Sequence, residues 1–171
     1  YNSTILQEIK KLNLNNYDIV YGNTIIKKQN LIYKKYANQF KNKTALMAFC
    51  HQSCIVKSHL FKKKKFNISY KFAADFDFFK FHFSKNKKFF FINKFISKVA
   101  AGGYSDTFRQ EVLNENIKIL KNYRQIDLVL FVYLLKIREL LTKFIKLLIP
   151  KKFENLILRL KYNSLIVKKI R

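Results

Sequence analysis

Apolar residues recur at helical spacing from the start of the chain. Ile5, Leu6, Ile9 and Leu12 line one face, and Ser3 or Thr4 can cap a helix over residues 2–12. Asp18-Ile19-Val20-Tyr21 reads as a buried strand, closed by the turn signal Gly22-Asn23. Ile25-Ile26 and Leu31-Ile32-Tyr33 fit the arms of a hairpin, and the polar residues 34–44 read as a loop or short helix. A run from Leu46 to Val56 carries Phe49-Cys50-His51-Gln52-Ser53, and its end reads as a strand. His59 to Lys65 looks like a short helix whose basic end, Lys62 to Lys65, suits a solvated face.

From Ala73 to Phe83 the period is again helical, with Ala73, Phe76, Phe79 and Phe83 on one side for the core. Phe89-Phe90-Phe91-Ile92 reads as a strand that Phe95-Ile96-Ser97 continues or re-enters. Gly102-Gly103 opens a loop before a helix from about Ser105 to Tyr123, for which Ser105 or Asp106 can serve as cap. The last third changes character. From Asp127 to Ile149 one face carries Leu134, Ile137, Leu141, Phe144, Ile145 and Leu148, and the opposite stripe carries Lys136, Glu139, Lys143 and Lys146. Pro150 is expected to end that helix. A second amphipathic stretch follows, with Phe153, Leu156, Ile157 and Leu160 on its apolar face.

Composition sharpens this picture. Of 171 residues, 49% are hydrophobic, enough for a core and too many for a disordered chain. The net charge of +25 asks for a polyanion. Yet 30 of the 35 basic residues are Lys, whereas base and phosphate readers favour the planar fork of Arg. The aromatics also fall at core spacings rather than as stacking platforms. Anionic lipid and sugar-nucleotide phosphates are therefore the expected partners, and nucleic acid is not. Lys, Asn, Ile and Phe together fit AT-rich coding, which accounts for part of the charge. Cys50 and Cys54 lack the second spaced pair of a structural zinc site and read as buried free thiols. The three Asn-x-Ser/Thr sequons, at Asn2, Asn42 and Asn67, are expected by chance in an Asn-rich chain.

Two segments stand out chemically. One places polar side chains inside an apolar run at Cys50-His51-Gln52. The other, Ala73-Ala74-Asp75-Phe76-Asp77-Phe78-Phe79, sets two carboxylates among aromatics in a chain with only 10 acidic residues. Apolar walls leave a carboxylate's pKa open to tuning, as a general base requires. The same residues also suit a helix N-terminus. On a regular helix Asp75 and Asp77 point about 200° apart, so they do not both face one substrate.

Tyr17-Asp18-Ile19-Val20-Tyr21-Gly22-Asn23, Phe49 to Ser53, Ala73 to Phe79 and Gly102-Gly103-Tyr104-Ser105, in that order and spacing, resemble the second half of a family 2 glycosyltransferase. The likeness is to the bacterial enzymes that build lipopolysaccharide, capsule and other surface polysaccharides. It runs from about Tyr17 to Tyr123. The resemblance implies an α/β fold: the C-terminal part of a GT-A-type mixed sheet with flanking helices. Residues 1–125 would be the acceptor-side part of the catalytic domain and residues 126–171 an amphipathic basic helical tail.

The resemblance further implies inverting transfer of a sugar, hexosyltransferase-like, from a nucleotide-sugar donor to a hydroxyl of a glycan or lipid-linked glycan. Asp75 would be the catalytic base, preceded by Ala74 where the family has Glu or Ala, and Asp77 would support it. His51, Gln52, Gly102 and Gly103 would bind substrate. A divalent metal, Mg or Mn, is implied with its Asp-x-Asp ligands ahead of Tyr1, so the chain is expected to be a fragment, inactive alone. The tail is expected to hold the enzyme on the anionic cytoplasmic face of the plasma membrane. Its uncharged run, Leu128 to Leu135, is too short to span a bilayer. Two other readings stay open: a basic nucleic-acid-binding module, and a non-catalytic membrane-attached remnant.

Overall fold

The computed structural model describes residues 3–12, 14–28, 31–38, 46–148 and 166–169. The fold is mixed α/β. Its strands are β1 (Ile19–Lys28), β2 (Leu31–Lys35), β3 (Cys54–Val56), β4 (Phe89–Ala100) and β5 (Ile166–Lys169). The helices are α1 (Ser3–Lys11), α2 (His59–Lys63), α3 (Ala74–Ser84), α4 (Tyr104–Thr107), α5 (Arg109–Asn122) and α6 (Ile126–Leu148). β1 is the hub. It pairs antiparallel with β3 over its first half and with β2 over its second, and parallel with β4 along its other edge. β5 pairs antiparallel with β2.

Alternation along the strands assigns the two faces of the sheet. Ile19, Tyr21, Phe89 and Phe91 pack with Phe49, Leu60, Phe78 and Phe79, beneath α3. Ile55, Ile92 and Ile96 meet Ile5 and Ile9 of α1 on the other face. α3 is buried on two sides. Phe78 and Phe79 lie on the sheet, while Ala73 and Phe76 join Leu113, Ile117 and Leu120 of α5 and Val132 of α6. The expectation of one core-facing side on α3 was therefore too narrow. Its six apolar residues are spread over more than one side of the helix, as suits a helix packed between two layers. His82, fully buried, is a core residue, with its ring edge-on to Phe78 at 4.5 Å. Burial lowers its pKa and so favours the neutral ring.

α3 and α5 end alike. Asn86 and Arg124 adopt left-handed backbone, both at φ 54°. The next N–H, Lys87 or Gln125, reaches back to the carbonyl of His82 or Leu120, which satisfies carbonyls that the helix leaves open.

Three expectations are corrected. Gly22-Asn23 is no turn, because β1 runs straight through it. β4 bulges opposite, with partners shifting from Gly22–Ile92 to Asn23–Phe95 to Thr24–Ser97. A Cβ on Gly22 would lie 2.7 Å from the Lys94 carbonyl oxygen and 2.8 Å from that of Ile92, so the glycine admits the bulge rather than a reversal. The helix expected over Ser105–Tyr123 is broken at Phe108 into α4 and α5, and Gly103, not Ser105 or Asp106, is the N-cap residue of α4. The tail is not helical throughout: α6 runs to Leu148, but Ile166–Lys169 is a strand. The second amphipathic stretch, Phe153 to Leu160, lies outside the described residues, as does Pro150.

Candidate functional site

Three devices place His51. A 3₁₀ turn, His51–Ser53, leads into β3. The buried hydroxyl of Ser53 is bonded at 2.6 Å to both Thr24 on β1 and Ser97 on β4, which pins the turn against two strands. The Cys54 thiol donates to the His51 carbonyl at 2.9 Å. Burial pushes the Cys54 thiol up to about 12, so it stays protonated and able to donate. Gln52 accepts from the Cys50 thiol at 3.2 Å.

Asp75 stands in the first turn of α3. The chain entering that helix is held by one side chain from α5. Glu115 accepts the backbone N–H groups of Lys71, Phe72 and Ala73 at 2.8–2.9 Å. Asp75 Oδ1 takes the Phe76 N–H at 2.8 Å, and Oδ2 lies 2.7 Å from Nδ1 of His51. Both side chains keep solvent exposure, 48% for His51 and 29% for Asp75. The bond to Asp75 raises the His51 pKa above its usual 6.5, against an opposing effect of burial. The arrangement is a carboxylate–imidazole pair open to solvent, able to accept or relay a proton.

Asp77 is elsewhere. It is buried in the interior, with Lys64 Nζ 2.8 Å from Oδ2 and the Tyr123 hydroxyl donating to Oδ1 at 3.4 Å. The Lys64 contact is a charge contact without hydrogen-bond alignment. The angular separation expected of the two acids on a regular helix is what the structure shows. Gly102 and Gly103 lie on the exposed loop after β4. Gly102 is left-handed, φ 79°, and its N–H is taken by the Asp106 carboxylate at 3.0 Å, an unfavourable neighbour for a phosphate. Tyr104, which follows Gly103, stacks on Phe72 at 5.2 Å, so the loop borders the approach to α3. Thus His51 and Asp75 are brought together with Gln52 beside them, while Asp77 and the two glycines are not part of that contact.

The residues that hold the pair were not read from the sequence. Glu115 gave no local signal, since its partners are 42–44 positions away. Thr24 and Ser97, which hold Ser53, gave none either, lying 29 and 44 positions from it.

Among the described residues no three metal-ligating side chains come together. Asp75 has His51 as its near neighbour, and the Cys54 thiol is spent on a backbone carbonyl. These residues do not fit a resident metal. Two small hollows of about 140 and 170 Å³ lie apart from the pair, one at Lys80, Tyr123 and Gln125, the other between α1 and β1.

No family model, no curated protein and no solved structure matches this chain.

Proposed function

We propose that the chain is the acceptor-side part of an inverting glycosyltransferase of bacterial surface-polysaccharide synthesis, with Asp75 as its base. One observation carries the reading. Two of the four segments that resemble family 2 enzymes meet in a 2.7 Å contact between His51 and Asp75, 24 positions apart. In the reaction an acceptor hydroxyl oxygen attacks the anomeric carbon of the donor sugar. The bond from that carbon to the nucleoside diphosphate breaks, and the hydroxyl proton passes to Asp75. Each oxygen of Asp75 keeps a lone pair beyond the bonds made to Phe76 and His51. His51 fixes the direction of the carboxylate. In this reading the donor nucleotide and its divalent metal are bound by the half that the resemblance places ahead of Tyr1.

The test is Asp75→Asn in a protein carrying both halves, assayed for sugar transfer. The variant keeps shape and loses basicity, so turnover should fall by roughly 10²-fold or more, with donor affinity little changed. Transfer at the wild-type rate would remove Asp75 from the chemistry.

A further inference from the structure

α6 is turned outward. Leu128, Val129 and Val132 fill the core with α5. The polar stripe also faces the body: Lys136 Nζ donates to Asn114 Oδ1 of α5 at 2.6 Å, and Glu139 is half-buried. The apolar stripe, with Leu130, Leu134, Ile137, Leu141 and Phe144, is left in solvent, Leu134 at 65% exposure. Of the large hydrophobic side chains exposed among the described residues, ten of sixteen belong to this helix. A continuous apolar stripe of that length is not the scatter of single exposed residues that any surface carries.

We propose that this face of α6 docks flat on an anionic lipid surface. Two observations select that occupant. Charge is the first. The chain carries +25, and Arg138, 65% exposed and paired at 3.2 Å with Glu139 beside it, stands at the edge of the stripe, placed to reach headgroup phosphates while the leucines enter the acyl boundary. A second copy would bring another +25 against the first, which opposes self-association through this face. Length and hydropathy are the second. No helix among the described residues is long and apolar enough to cross a membrane, so the helix lies along the surface. This inference is independent of the glycosyl-transfer reading.

The experiment is co-sedimentation of the full chain with phosphatidylcholine vesicles, with and without phosphatidylglycerol. Binding should be stronger to the anionic vesicles and reduced, not abolished, by high salt, since only the electrostatic part is screened. Leu134→Gln with Leu141→Gln should weaken binding about tenfold or more and leave the melting temperature unchanged, because both side chains are exposed. Arg138→Gln should lose part of the salt-sensitive binding. Unaltered binding by the leucine variant overturns the proposal, as does indifference to lipid charge. So does a lowered melting temperature or loss of a dimer in the leucine variant, since residues 149–165 or a second copy would then be covering the face.

Discussion

Nδ1 of His51 lies 2.7 Å from Oδ2 of Asp75 and joins the turn before β3 to the first turn of α3. The contact raises the His51 pKa above 6.5. A pKa higher in the folded than in the unfolded chain stabilises the fold fully below the unfolded value. That contribution is lost as pH rises through the folded value. NMR titration of the imidazole nitrogens should therefore give His51 a midpoint above 6.5. Asp75→Asn should bring it to the ordinary value or below, because burial then acts unopposed. An unchanged midpoint in the variant would mean that the pair does not form in solution.

Substitution at Asp77 tests whether it is a structural acid, distinct from the proposed base Asp75. Asp77→Asn leaves Lys64 beside a neutral partner, and Lys64 is only a quarter exposed. The loss should be about 2–3 kcal/mol in denaturant unfolding, below the full range for a wholly buried pair. Turnover per folded molecule should stay close to wild type. Loss of turnover beyond the unfolded fraction would shift the base from Asp75 to Asp77.

Glu115 is predicted to be the most consequential acid outside the pair. Glu115→Ala removes the acceptor of three backbone N–H groups at once. Unfolding should cost about 2–4 kcal/mol less, and hydrogen exchange at Lys71–Ala73 should quicken. Glu115→Gln, which keeps one carbonyl acceptor, should fall between. Wild-type exchange at Phe72 and Ala73 in the alanine variant would refute the capping role.

Lys80 sets a pH dependence of the opposite sign. It is buried, donates to Gln125 Oε1 at 2.9 Å, and lies 5.6 Å from the Phe76 ring centroid. Burial lowers its pKa to about 8. The unfolded chain holds this proton up to its normal pKa of about 10.4, so between these values the unfolded state binds more protons and stability rises with pH. Lys80→Met should raise stability at pH 7 by roughly 2 kcal/mol and flatten the alkaline rise. A destabilised methionine variant would show that the Gln125 bond outweighs the cost of burying the charge.

Local signals in the sequence located the elements well and their partners poorly. The span of α3 and the divergence of Asp75 from Asp77 follow from 100° per residue alone. So does the two-sided character of α6, whose apolar stripe was legible while its outward orientation was not. Periodicity tells which residues share a face, not what that face meets. Gly22-Asn23 misled because a glycine for close backbone approach and a glycine for a turn look identical in one dimension. Asn23 is occupied across the fold, donating to Asn93 Oδ1 and accepting from the Ala37 N–H. The contact of His51 with Asp75 is a tertiary fact, set by Ser53 and Glu115 through partners 29 to 44 positions distant.

The β4 bulge works as a frameshift in the inside–outside code of the sheet. The numbering offset between paired residues grows from 70 at Gly22–Ile92 to 73 at Thr24–Ser97. Three is odd, so the parity that faces a given side reverses across the bulge: Phe89 and Phe91 pair with odd positions of β1, whereas Ser97 and Val99 pair with even ones. Deleting a single residue from Asn93–Phe95 would restore one parity throughout. It would bring the charged Lys98 to the place of Ser97 and take away the hydroxyl that Ser53 binds there, so a change of length would cost this segment more than a change of side chain.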